Sequence, residues 1–279
     1  MLRDITLGQY YQTESLIHRL DPRVKLIATF WFIVSLFVVN NPLGYALAFG
    51  FLCLSIRLSK VPVKFMTKGM KSIVVLLMIT VIFNLFLTPG NELIRIWKLR
   101  ITDAGLTIAL QMAVRLVMLI MGSSLLTLTT TPNNLTDGME KLFGPLKVFK
   151  VPVHELAMMM SIALRFIPIL LEETDKIMKA QMARGADFES GSLIKRAKSM
   201  AALLEPLFIS AFQRANDLAM AMEARCYHGG EGRTKMKPLI FQRRDIIARF
   251  TIYLYVILCV IFGRILHIPS VVDLFRMIF

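Results

Sequence analysis

Two arginines in the second half of the chain end the same local sequence pattern. Arg184 ends Ala180-Gln181-Met182-Ala183-Arg184 and Arg225 ends Ala221-Met222-Glu223-Ala224-Arg225, so A-x-x-A-R occurs twice, 41 positions apart. An arginine at the end of a helix complements the helix dipole and the free backbone carbonyls. Its guanidinium can also pair bidentately with a carboxylate. Two similar helix ends indicate two similar receptors, so we predict that both arginines bind a paired partner.

No constellation of catalytic residues competes with these arginines. The chain has no G-x-x-x-x-G-K-[ST] phosphate loop and no evident Ser/His/Asp or metal cluster. Its three cysteines, Cys53, Cys226 and Cys259, lack the spacing of a zinc site or a redox motif, and its four histidines are scattered. We therefore expect no catalytic residue, no metal site and no cofactor bound by this chain.

Two long helices are expected to carry the arginines. The first runs from Pro152 to Arg184, with an apolar first half and a polar, amphipathic second half, and the second ends at Arg225. Pro168 and Pro206 predict a kink in each helix. A helix that is half apolar and half polar is typical of one that leaves the bilayer surface and reaches into the cytoplasm.

The composition indicates an integral membrane protein. Of 279 residues, 56% are hydrophobic and 19% are charged, and the net charge is +14. An ordinary soluble domain is about 45–50% apolar. An apolar chain with excess Lys and Arg is typical of a membrane protein with basic cytoplasmic loops. Nucleic-acid binding is not expected, because the basic residues flank apolar runs and form no soluble basic face.

Five apolar segments are the candidate membrane spans: 26–39, 43–56, 73–87, 106–128 and 245–267. A spanning helix needs about 20 residues, so the first two are short and could instead form a hairpin that does not fully cross. The basic residues that follow the second segment, from Arg57 to Lys71, predict a cytoplasmic loop and hence a cytoplasmic N-terminus. The stretch 93–101, in which apolar and basic residues alternate, is then expected to be an external loop.

These patterns predict an all-α integral membrane protein with about five transmembrane helices and a cytoplasmic domain of long helices. We place a membrane domain of about four helices at 1–129, the cytoplasmic domain at 130–243 and a last transmembrane helix at 244–279.

Four charged residues and one proline are candidates for a structural role. Arg115 lies inside the fourth span, where a charge costs about 2.5–3.5 kcal/mol on insertion scales. A structural or gating ion pair and a snorkelling side chain remain equal alternatives for it. Asp21 is expected to cap a helix that begins at Pro22. The structural candidates are Asp21, Arg23, Arg115, Arg165 and Pro168.

The two long helices are also rich in methionine and small residues. Methionine adapts to surfaces that bind partners, and small residues allow close helix approach, although core packing gives the same composition. The candidate contact residues are Met158, Met159, Met160, Met200, Leu203 and Leu204.

Five phrases, in this order, resemble the transmembrane T component of energy-coupling factor (ECF) transporters, and together they extend over nearly the whole chain. They are Leu20-Asp21-Pro22-Arg23-Val24-Lys25-Leu26, Thr129-Thr130-Thr131-Pro132, Leu164-Arg165-Phe166-Ile167-Pro168, Ala180-Gln181-Met182-Ala183-Arg184-Gly185 and Glu223-Ala224-Arg225-Cys226-Tyr227.

This resemblance implies a scaffold with a membrane domain and a cytoplasmic coupling domain of long crossing helices. Two ABC-type ATPase subunits, A and A′, would bind beneath it, with ATP and Mg on those partners. Each would receive one X-Arg-X motif, here Ala183-Arg184-Gly185 and Ala224-Arg225-Cys226. Cys226 replaces the glycine more often expected there, which weakens the prediction of a helix stop at that end but leaves the arginine in place.

The resemblance also implies a small membrane S component that binds a vitamin or a metal ion. One S component at a time would pack on the methionine-rich helices and topple when ATP-driven motion is passed to it, releasing substrate inward. The expected location is a prokaryotic plasma membrane, with a multi-pass topology.

Two alternatives remain open. The chain could be a dedicated T component for a single cobalt, nickel or biotin S component. It could also be a membrane-embedded lipid enzyme, which would need clustered carboxylates such as Glu172, Glu173 and Asp175. A cluster of this kind is usually a solvated helix face.

Overall fold

The computed structural model describes residues 10–39, 41–70, 73–89, 92–96, 99–186, 188, 193–230, 236 and 238–262. Within these residues the chain is mostly helical. In order, the elements are α1 (Pro22–Val38), α2 (Pro42–Ser59), α3 (Val63–Met70), α4 (Val74–Leu87), β1 (Glu92–Ile96), β2 (Leu99–Thr102), α5 (Asp103–Thr129), α6 (Pro132–Leu142), a 3-10 helix (Gly144–Phe149), α7 (Val153–Ala183), α8 (Leu193–Glu223) and α9 (Arg243–Val260).

The predicted all-α membrane protein is confirmed. Among the described helices, α2, α5 and α7 are long and apolar enough to cross a membrane, and α4 is apolar but has only 14 residues. The described parts of α1 and α9 have 17 and 18 residues. Two of the five predicted spans therefore lie in helices of spanning length. The number of five membrane spans stays a prediction. Helix α7 is a further candidate span, although its residues were predicted to belong to the cytoplasmic domain.

The stretch between α4 and α5 differs from the prediction. It was expected to be a loop, whereas β1 and β2 form an antiparallel hairpin in which Ile94 is opposite Ile101 and Ile96 is opposite Leu99. The alternation of apolar and basic residues has a period of two, which is the signature of a strand. The sequence thus contained the signal for the hairpin, and the prediction of a loop was wrong.

The described residues divide into two compact units, with the boundary inside α6. The larger unit comprises 10–138 and 239–262, and the smaller unit lies within Met139–Pro238. The boundaries predicted from the sequence, at 129/130 and 243/244, stay a prediction.

The core of the larger unit is formed by α1, α2, α5 and α9, and Met66 of α3 is buried in the same cluster. Phe51 and Tyr255 stack with their ring centroids 4.2 Å apart, and Phe32 lies beside both. A Cβ atom added at Gly122 would lie 2.5 Å from the Phe32 ring. Gly122 therefore allows α5 to approach α1 closely, as small residues do between membrane helices.

Helix α1 begins in a buried polar network. Asp21 caps it as predicted, because its carboxylate accepts from the Arg23 N–H (2.9 Å) and pairs with the Arg23 guanidinium (2.7 Å). The Asp21 N–H donates to Asp245 Oδ1 at the start of α9 (2.9 Å). Arg23 also donates to the Leu239 carbonyl (3.1 Å) and stacks on Phe241. The network thus joins the beginnings of two helices that are far apart in sequence.

A buried lysine continues this network to the end of α5. Lys25 Nζ donates to the carbonyls of His18 (3.1 Å) and Thr129 (2.9 Å). His18 in turn contacts the Tyr11 carbonyl through Nε2 (3.0 Å), and burial lowers the pKa of its imidazole. The chain before α1 is therefore held against α1 and α5 by polar contacts.

Arg115 is held by protein acceptors. It donates to the Tyr45 hydroxyl through Nε (3.1 Å) and Nη2 (2.7 Å), and to the Val39 carbonyl (3.4 Å). A charge within a membrane helix is expected to face protein in this way. The contacts join α5 to both sides of the α1–α2 turn.

Candidate functional site

The two arginines lie at the ends of helices of equal length. α7 and α8 have 31 residues each, which corresponds to about 45 Å. Pro168 and Pro206 lie inside these helices without interrupting them, and the predicted kinks stay predictions. Arg165 is exposed on α7.

The end of α7 has the hydrogen bonds of a Schellman motif. The Gly185 N–H donates to the Met182 carbonyl (3.0 Å), and the Ala186 N–H donates to the Gln181 carbonyl (3.0 Å). Gly185 has a left-handed backbone, with φ of +88°. Arg184 is the C-cap residue, one position before the left-handed one.

The end of α8 repeats this geometry residue for residue. The Cys226 N–H donates to the Glu223 carbonyl (2.8 Å), and the Tyr227 N–H donates to the Met222 carbonyl (3.0 Å). Cys226 takes the left-handed position, with φ of +54°. Arg225 therefore occupies the same C-cap position as Arg184, so the two A-x-x-A-R patterns are equivalent in structure as well as in sequence.

The helix stop that the sequence indicated less clearly at Cys226 is present in the structure. A residue with a Cβ atom pays roughly 1–2 kcal/mol for the left-handed conformation, which glycine avoids. The backbone of α8 nevertheless ends with the same pair of hydrogen bonds as α7. Cys226 therefore takes the left-handed conformation within the same pair of hydrogen bonds that glycine has in α7.

The ends of α7 and α8, called the tips from here on, are open to solvent. The two predicted motifs, Ala183-Arg184-Gly185 and Ala224-Arg225-Cys226, are exposed at every position. Within the described part of the chain, neither Arg184 nor Arg225 has a side-chain hydrogen bond or an ion pair. Their guanidinium groups therefore do not cap their own helices and are available to a carboxylate of another molecule.

An ion pair links α7 to α8 behind the tips. Arg214 pairs with Glu173 (3.0 Å), so one member of the predicted acidic cluster has a structural partner. A cavity of about 330 Å³ lies between the same two helices. Its lining residues are Ile162, Phe166, Leu170, Ala211, Arg214, Ala215, Leu218, Ala219 and Met222.

Helix α8 exposes an apolar stripe that the sequence analysis found only in part. Its members recur every four residues and therefore share one helix face. They are Met200, Leu204, Phe208 and Phe212, each more than half exposed. Phe208 and Phe212 were missed, although extending the spacing from Met200 and Leu204 would have found them.

The other predicted contact residues are divided between surface and interior. Met159 and Met160 are about half exposed on α7, and Met158 is half-buried. Leu203 is buried within the chain, at 9% exposure. A contact of these residues with a partner stays a prediction.

Among the residues that the structure describes, no three His, Cys, Asp or Glu side chains lie close enough together to hold a metal ion. The features that stand out in the smaller unit are therefore its exposed arginine tips and its apolar stripe.

The fold defines an all-α membrane protein whose smaller unit exposes two arginine tips and an apolar stripe. Comparison with known proteins supports this class. Residues 13–236 match the family described as cobalt transport protein, CbiQ. The chain is also similar to several proteins named "Energy-coupling factor transporter transmembrane protein EcfT".

The EcfT protein of Clostridium kluyveri is 56% identical over 250 residues, which cover 89% of this chain and 93% of that protein. The Bacillus subtilis EcfT is 50% identical over 88% of this chain and 93% of its own length. The EcfT of Lactococcus lactis is 43% identical over 95% of this chain and 100% of its own length. The chain therefore belongs to the family of ECF transporter transmembrane components, as the resemblance predicted.

Family membership decides the broad function. The chain is a transport subunit in a bacterial membrane, not an enzyme. The family therefore favours a transport subunit over the alternative of a lipid enzyme at Glu172, Glu173 and Asp175.

Proposed function

We propose that this chain is the scaffold that couples ATP hydrolysis by two ABC-type ATPase subunits to the movement of a substrate-binding S component during micronutrient (vitamin) uptake. The observation that carries this proposal is the equivalence of the two helix tips. Arg184 and Arg225 occupy the same C-cap position in two identical hydrogen-bond patterns, and both are exposed. A pair of homologous ATPase subunits would offer two matching grooves for such a pair of tips.

Each arginine would form a bidentate pair with a carboxylate in the groove of one ATPase subunit. Such a pair is directional, because the planar guanidinium fork matches the two carboxylate oxygens. It would therefore transmit a displacement of the ATPase to the helix that carries the arginine. ATP and Mg would be bound by the ATPase subunits, and this chain would hold no cofactor of its own.

The apolar stripe on α8 would receive the S component. Met200, Leu204, Phe208 and Phe212 form a row of exposed apolar side chains, which is costly unless a partner or lipid covers it. Methionine and phenylalanine at such a surface suit a scaffold that binds different small membrane proteins, one at a time. Since ATP is cytoplasmic, the tips would lie on the cytoplasmic side of a multi-pass protein. The basic residues from Arg57 to Lys71 favour the same side for the N-terminus.

A dedicated T component is the second candidate, because the matching family is described as cobalt transport protein. Such a chain would serve one S component, for cobalt, nickel or biotin. The two candidates share the same tips and differ in the number of S partners.

Purification of the tagged chain from its native membranes, with identification of the proteins that co-purify, tests both. The shared scaffold predicts two ATPase subunits and several small apolar membrane proteins. Co-purification of a single small membrane protein would instead support the dedicated T component. Purification without any ATPase subunit, in a detergent that keeps small membrane partners bound, would contradict the proposal. The Arg184→Ala/Arg225→Ala variant is expected to lose the ATPase subunits and keep the small partners.

A further inference from the structure

The larger unit contains a cavity that the proposed coupling role does not use. It has a volume of about 410 Å³ and lies among α1, α2, α5, α9 and the segment before α1. Ligand sites have volumes of about 300–1,000 Å³. Most of its lining is aliphatic or aromatic and includes Leu20, Val24, Phe32, Leu52, Leu125 and Ile252.

Two cations line this apolar cavity. Lys25 is buried and donates to two backbone carbonyls, which leaves one of its three N–H groups for another acceptor. Arg244 Nε is buried without a hydrogen-bond partner among the described residues. A buried, unpaired donor is costly, and an anionic oxygen in the cavity would remove that cost.

The cavity provides no opposing negative charge. None of the residues that line it is acidic. Asp21 and Asp245 lie near Lys25, but their carboxylates accept from Arg23 and from backbone N–H groups. The local charge therefore favours an anion over a zwitterion that carries its own cation.

The position of the cavity favours a lipid over a soluble anion. It lies where α1 and α9 begin and where α5 ends. One lining residue, Leu58 at the end of α2, lies between the basic residues Arg57 and Lys60 in the sequence. Basic residues at one end of membrane helices mark the side of the bilayer rich in anionic lipid. An acyl chain would fill the apolar part, which a small soluble anion leaves empty.

We propose that this cavity binds one anionic phospholipid, with its phosphate on Arg244 and Lys25 and an acyl chain among α1, α2, α5 and α9. The proposal is independent of the coupling role of the smaller unit. It predicts that the lipid is selected by its charge at Arg244 and by its chain in the cavity.

The test uses the full purified chain in nanodiscs with phosphatidylglycerol or phosphatidylcholine that carries a photoreactive group in the acyl chain. Cross-links are mapped by peptide mass spectrometry. We expect phosphatidylglycerol to label the cavity-lining parts of α1, α5 and α9. Arg244→Gln should lower this labelling about tenfold, as for the loss of one charged hydrogen bond. Arg243→Gln is the matched control, because Arg243 is exposed and lies outside the lining.

A second variant keeps the test informative if Arg244→Gln does not fold. Ala248→Phe places a ring in the cavity from α9 and should abolish cavity labelling while Arg244 remains. Soluble glycerol phosphate, which has the anion without a chain, should not compete. Equal labelling by both lipids, unchanged labelling in Arg244→Gln and Ala248→Phe, or full competition by glycerol phosphate would each overturn the proposal.

Discussion

The two units use charged residues in opposite ways. In the larger unit, Asp21, Arg23 and Asp245 form a buried network that holds the beginnings of α1 and α9 together. In the smaller unit, Arg184 and Arg225 are exposed at equivalent tips without a partner in the described part of the chain. Charges that face inward fix the packing of their own chain, whereas charges that face outward are available for recognition.

Apolar residues are likewise buried in the larger unit and largely exposed in the smaller unit. The larger unit has a buried cluster that includes Leu36, Ala48 and Met118. In the described part of the smaller unit, Val153 and Leu203 are the buried apolar residues, while large side chains along α8 are exposed. A pair of long helices with so little core is expected to gain stability when a partner or lipid covers its exposed apolar surface. The smaller unit is therefore the part of the chain expected to respond most to assembly.

The largest effect is expected at the tips. Arg184→Ala with Arg225→Ala should weaken ATPase binding by about 2–5 kcal/mol per tip, as when one partner of a buried interfacial charge pair is removed. Uptake by cells should fall accordingly. The thermal midpoint of the isolated chain should barely move, because exposed substitutions change stability by about 0.5 kcal/mol or less.

Lys179→Ala is the matched control for the tips, since it removes an exposed cation five residues before Arg184 on the same helix. Its uptake should equal that of the wild type. Full uptake in the double variant would show that the two exposed arginines are not recognition residues, and the contrast between the units would fail.

The next effect is expected in the buried network. Asp245 is 2% exposed, and its carboxylate accepts from the N–H groups of Asp21 (2.9 Å) and Gln242 (2.8 Å). Asp245→Ala leaves both amides unsatisfied and should destabilise the larger unit by about 3 kcal/mol. Thermal unfolding in detergent measures the loss.

Asp245→Asn retains a side-chain oxygen and should fall between the wild type and Asp245→Ala. A thermal midpoint for Asp245→Ala equal to that of the wild type would mean that the network does not stabilise the junction of α1 and α9.

A smaller effect is expected at Arg115. Tyr45→Phe removes the hydroxyl that accepts from Arg115 at 2.7 and 3.1 Å. Hydrogen bonds between membrane helices contribute about 0.6–1.7 kcal/mol, so a loss of about 1 kcal/mol is expected in thermal unfolding. Tyr253→Phe on α9 is the control, because Tyr253 is 45% exposed. Equal losses in the two variants would assign the effect to the loss of a tyrosine hydroxyl as such and not to its contact with Arg115.

The smallest effect is expected from replacing, at each tip, the residue that has the left-handed backbone conformation. Cys226→Gly relieves the Cβ strain but adds freedom to the unfolded chain, so a gain of about 0.5 kcal/mol is expected. Gly185→Ala introduces the strain and should cost about 1 kcal/mol. Opposite shifts of the thermal midpoint would support equivalent tip geometry, and a loss in Cys226→Gly would contradict it.

Local chemistry explains what could be predicted from the sequence. The ends of α7 and α8 depend on hydrogen bonds between residues a few positions apart, so the A-x-x-A-R repeat was sufficient to locate both arginines. The cap at Asp21 and the apolar helices α2 and α5 likewise follow from short segments. The hairpin β1–β2 was also encoded locally, in its alternation of residues, but a loop was expected there.

Only the tertiary structure decided which residues meet across the chain. The Asp21–Asp245 hydrogen bond joins residues 224 positions apart, and the Lys25–Thr129 bond joins residues 104 positions apart. No local pattern distinguishes buried Leu203 from exposed Leu204, or shows that Lys25 and Arg244 line one cavity. Helix propensity and hydropathy are properties of short segments, whereas burial and long-range pairing depend on how the helices pack, and that arrangement arises only when the whole chain folds.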